Sequence, residues 1–107
     1  MNETTRWYHL VAYFFAGLFL MNVVPHLTNG VSGSPFQSPF ATPSGEGLSP
    51  ATTNVLWAFF NLVAGYALCR VGTFSLRKTS HAAVFGLGAL LIGLFSAHHF
   101  GQFHGGL

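Results

Sequence analysis

The chain has 107 residues, half of them hydrophobic and only 6% charged, against about a quarter charged in a soluble domain. That composition excludes an ordinary water-soluble fold, and the formal net charge of +2 rests on four basic side chains that form no stripe for nucleic acid. The length allows one domain, with its apolar residues gathered into three long runs whose solvent is the lipid bilayer.

The first run covers about residues 7–24 and contains no Asp, Glu, Lys or Arg. It is close to the ~20 residues that cross a hydrocarbon core of ~30 Å at a helical rise of ~1.5 Å per residue. A single Arg6 precedes it and no small-x-small cleavage site follows Val24, so it reads as a retained signal-anchor span. Pro25 is expected to close this helix, with His26 just beyond it and His9 near its start as an interfacial residue.

Residues 27–50 make a long connection rich in Pro, Phe and Gly, in which Ser34-Pro35-Phe36 recurs as Ser38-Pro39-Phe40 and Glu46 is the one formal charge. A disordered linker is normally more charged and less aromatic. The segment predicts a folded lid on the outer membrane face, either forming a site or only anchoring the helix ends.

The second run, residues 51–69, has Ser49 as its expected N-cap and Pro50 as its first helical residue. Asn54 and Asn61, two turns apart with Gly65 beyond them, are predicted to turn inward as helix-packing residues, Asn22 reaching across to Asn54. Cys69 is the sole cysteine, so no intrachain disulfide forms.

Arg70, Arg77 and Lys78 lie in the connection 70–80, and with Arg6 they fall on one side of a three-span arrangement. The rule that Lys and Arg stay inside makes that side cytoplasmic, with the loop 27–50 and the tail 101–107 periplasmic or external. The third run, residues 81–100, is expected to be capped by Thr79 or Ser80, and His81 to sit at the interface. Its stripe of Ala82, Gly86, Ala89, Gly93 and Ala97 reads as a small-residue packing face, within the chain or between chains. Runs this long and continuous exclude the alternation of a membrane barrel, leaving an all-α integral membrane fold with three transmembrane helices.

Four histidines, His26, His98, His99 and His104, collect at the outer side. With Ala97 as the centre of the packing face, His98 lies about 100° round, His99 about 200°, and His104 returns near that face if the helix continues. His26, His98 and His104, with Glu46 as a further donor, are therefore the candidate metal ligands, in numbers that suit a transition metal such as zinc or copper, or an axial haem pair. Against that stands a plain role in bonding helix-end carbonyls. HExxH and CxxCH patterns, a phosphate loop, a nucleophile elbow and an acid within any span are all absent from the sequence, so a hydrolase or a carboxylate-relay transporter is not implied.

The stretch Pro25-His26-Leu27-Thr28-Asn29-Gly30, then Ser34 through Ala41 and Asn54-Val55-Leu56-Trp57, resembles a family of small bacterial three-span inner-membrane proteins. The resemblance covers the first two spans and implies a location but no activity, cofactor or functional residue. Taken together, the sequence predicts a self-associating or accessory subunit of a membrane assembly. A metal- or haem-binding protein and an oligomeric pore lined by the asparagines are the alternatives.

Overall fold

The computed structural model describes residues 4–106. Its elements are α1 (Trp7–Val31), β1 (Phe36–Gln37), β2 (Leu48–Ser49), α2 (Ala51–Cys69) and α3 (Thr79–His104). All three helices are long and apolar enough to cross a membrane. In lipid a helix satisfies its backbone groups internally, which suits runs free of charge.

The helices form an open layer, with α1 in the middle. α2 packs against one flank of α1, α3 against the other, and α2 and α3 make little contact with each other. Burial follows that order. Tyr13, Ala16, Gly17, Val23, His26 and Gly30 are buried on α1; α2 buries one stripe, Asn54, Ala58, Asn61 and Gly65; α3 buries only His81 and Gly88.

Without a hydrophobic drive between helices in lipid, close backbone approach holds them together. A Cβ placed on Gly88 would run into the carbonyl oxygen of Phe14, and one on Gly17 into that of Phe85, so α1 and α3 touch backbone to backbone there. The expected stripe on α3 is placed differently. Gly86 is exposed and a Cβ on it would meet nothing within 4 Å, while Gly93 would make an ordinary 3.8 Å contact with Met21. Ala97 is exposed beside the cleft between α1 and α3.

Several helix ends differ from expectation. α1 continues through Pro25 to Val31; membrane helices tolerate an internal proline because nearby polar groups take up freed backbone positions. The carbonyl that loses its helical donor to Pro25 is that of Met21, four residues earlier; separately, beyond the proline Thr28 Oγ1 donates to the Val24 carbonyl at 2.6 Å and Asn29 Nδ2 to the Pro25 carbonyl at 2.7 Å. Pro50, not Ser49, is the N-cap of α2, because Ser49 belongs to β2 and its hydroxyl is shared with Ser38 at 2.6 Å. Lys78 caps α3, with Thr79 and Ser80 already helical. At its other end α3 passes Gly101 and stops at Gly105, whose φ of 76° takes the left-handed turn that glycine accommodates.

The connection between α1 and α2 is a folded cap. β1 and β2 pair antiparallel, Phe36 opposite Ser49 and Gln37 opposite Leu48, burying Phe36, Gln37, Ser38 and Ser49 while Leu48 and Phe40 face outward. The Gly45 amide donates to the Ser38 carbonyl at 2.8 Å and Ser44 Oγ to the Pro39 carbonyl at 2.7 Å, closing the turn between the strands.

The opposite end carries Arg6, Arg70, Arg77 and Lys78 and has its own latch. Ser75 N–H donates to His81 Nδ1 at 3.1 Å, so the proton of a neutral ring sits on Nε2, which donates to Thr5 Oγ1 at 2.9 Å. The Tyr13 hydroxyl donates to the Val71 carbonyl, and the His81 ring packs between Tyr13 and Phe74.

Candidate functional site

Because α2 runs antiparallel to α1, facing positions step in opposite directions: Ala16 meets Gly65, Asn22 meets Asn61, His26 meets Asn54, and Gly30 meets Ala51 and Val55. The amide pairing therefore departs from expectation. Asn22 Nδ2 donates to Asn61 Oδ1 at 3.1 Å instead of reaching Asn54. Since α1 does not end at Pro25, its last turns lie beside the first turns of α2, and Asn54 falls opposite His26.

Asn54 is fully buried and joins four parts of the chain. Its Nδ2 donates to the carbonyls of Phe36 on β1 (3.0 Å), Ser49 on β2 (3.2 Å) and Pro50 at the start of its own helix (3.2 Å). Three carbonyls accept and cannot donate, so the amide orientation is determined and Oδ1 must face His26. The 2.7 Å bond there is consequently donated by His26 Nδ1–H. In the neutral ring this leaves Nε2 as a bare acceptor.

His26 is 2% exposed, and its Nε2 has no hydrogen-bond partner among the described residues. No fully buried side-chain nitrogen or oxygen is left unpaired among them either, so this atom borders open space. His26 lines a cavity of about 300 Å³ between α2 and α3. Asn22 and His26 of α1 form its floor, Trp57 of α2 one wall, Phe95, His99 and Phe100 of α3 the other, and Ser38, Pro39 and Gly45 of the cap its roof. The cavity exists because α1 separates its two flanking helices.

The histidines divide. His99 Nε2–H donates to the Gly45 carbonyl of the cap at 2.7 Å, with its ring stacked on Phe95. His104 Nε2 bonds Gln37 Oε1 at 2.7 Å and stacks on Phe36. His98 is exposed, and so is Glu46. The candidate ligand set His26, His98, His104 and Glu46 is thus not gathered: among the described residues no group of three or more His, Cys, Asp or Glu side chains is arranged to hold a metal ion.

His99, not His98, is the inward member of its pair, because the buried face of α3 is centred on Gly88 and not on Ala97. Eleven residues separate Gly88 from His99, three turns with an offset of only about 20°. Gly88 lay outside the predicted stripe, and with it went the correct phase. Trp57 and Ser38 were also missed as site residues. Their signals were the repeated Ser-Pro-Phe unit and the position of Trp57 between the two asparagines of α2.

No family model, curated protein or solved structure matches the chain. The resemblance to bacterial inner-membrane proteins rests on the residues quoted for it, and the three long apolar helices support the membrane class alone.

Proposed function

We propose that the chain is a small multi-pass subunit of a membrane assembly, joining a second helix, from its own copy or another subunit, through the open side of α3. The observation that carries this reading is Gly86. It lies in the first third of α3, exposed, with open space where a Cβ would be, and a glycine there serves nothing within the chain. Small residues in such helices admit a partner's backbone. The basic end is assigned to the cytoplasm by Arg6, Arg70, Arg77 and Lys78, and the cap to the outer face of a bacterial inner membrane.

The test is disulfide trapping in native membranes. In a Cys69→Ser background, Gly86→Cys is expected to give a covalent dimer or a defined adduct, whereas Leu62→Cys on the exposed side of α2 is not. Gly86→Leu is expected to reduce the particle's mass in mild detergent while leaving the monomer folded. Unchanged mass together with an untrapped cysteine at position 86 overturns the reading.

A further inference from the structure

We propose that the cap-end cavity is a binding site for a neutral, membrane-soluble hydroxylated ring, a hydroquinone-type headgroup whose O–H donates to His26 Nε2. Four features of the cavity define that class. The first is the acceptor. Asn54 holds the His26 ring with its Nδ1 proton turned away from the cavity, so what faces a ligand is a lone pair in a side chain that is 2% exposed. A ligand O–H or N–H gives this lone pair the partner that the chain does not.

Shape supplies the second. Trp57 on one side and Phe95, Phe100 and the His99 ring on the other are flat apolar walls suited to a ring. The volume, about 300 Å³, stands at the lower end of the ~300–1,000 Å³ range of small-molecule sites, which suits one ring rather than a macrocycle.

Charge is the third. No Lys, Arg, Asp or Glu lines the cavity, and an ionised ligand at this depth would lack a counter-charge. The fourth is access. Because α2 and α3 make little contact along α1, the cavity opens sideways between two helices that both face lipid, under a roof tied down by the bond from His99 to Gly45. A ligand dissolved in the bilayer enters there, with its tail left in lipid.

Trp57 provides a reporter, since Trp7 is the chain's other tryptophan and lies at the opposite end. The Trp7→Phe protein, in nanodiscs of phosphatidylethanolamine and phosphatidylglycerol, is titrated with a short-tailed benzohydroquinone, its dimethyl ether and the matching benzoquinone. Saturable quenching by the hydroquinone is expected, with about three- to tenfold weaker binding of the ether and the quinone, which have no proton to donate. His26→Leu should remove the same factor for the hydroquinone and leave the ether unchanged. If that variant fails to fold, the comparison of ligands on the intact protein decides. Absence of saturable quenching, or ether and hydroquinone binding equally well, overturns the proposal, the latter meaning that the cavity merely takes up apolar additives.

Discussion

His26 donates its Nδ1 proton to the side-chain oxygen of Asn54 at 2.7 Å, and that bond sets the tautomer of a histidine buried between two long apolar helices. It also ties helix pairing to the fold of the cap, because the amide that accepts from His26 donates to both strands.

Asn54→Leu therefore separates two structures with one change. It strands the His26 N–H and the Phe36 carbonyl, at about 1–3 kcal/mol for each buried group left unpaired. The expected result is a lower unfolding midpoint in detergent and new protease cleavage within residues 38–47, measured on intact vesicles. A cap that stays resistant would show that the strands hold without the amide.

Gly88 and Gly86 stand two residues apart and should respond in opposite ways. Leucine at 88 collides with the Phe14 carbonyl, and overpacking of this kind costs roughly 1–3 kcal/mol or more. Gly88→Leu is expected to lower expression and thermal stability sharply. Gly86→Leu should leave the isolated monomer's stability within about 0.5 kcal/mol, as for an open surface position. Equal losses would place α3 in a different rotation about its axis.

His98→Ala and His104→Ala make a second contrasting pair. The exposed His98 has no hydrogen bond among the described residues, so its replacement is expected to change the melting temperature little. Replacing His104 removes the bond to buried Gln37 and the stack on Phe36, and should cost about 1 kcal/mol. Hydrogen exchange at Gln37 should rise in the second variant alone.

At the basic end, His81→Phe keeps the ring packing against Tyr13 and Phe74 but deletes bonds to Ser75 and Thr5. The connection 70–78 should exchange amide protons faster while the cap is unaffected. Equal acceleration at both ends would mean that the two latches are coupled through α1.

Much of the architecture was legible because it depends on properties that add up along the chain. Three acid-free runs of about 20 residues specify three helices whatever they touch, and the bounds of α2 agree with the run 51–69. The inward turn of Asn54 and Asn61 was legible for a similar reason. Amides in such a run need protein partners, and a spacing of seven puts both on one face. Their particular partners were not, since pairing depends on where α1 ends, and the proline that seemed to end it lies within it.

The cap shows the same division. Its composition marked it as folded, but the ribbon of Phe36–Gln37 with Leu48–Ser49 is two residues long on each side and leaves no alternation to detect. Likewise the histidines at the cap end were countable, yet their roles turned on the rotation of α3, which is set by the contact of Gly88 with Phe14. By itself the sequence determined that this protein is a set of three apolar helices with a nearly chargeless, structured connection, because transfer into lipid is a sum over local residues. Tertiary structure alone decided that His26 faces Asn54, that His99 and not His98 meets the cap, and that a cavity lies between them, because helix register and rotation come from close contacts between residues distant in the chain.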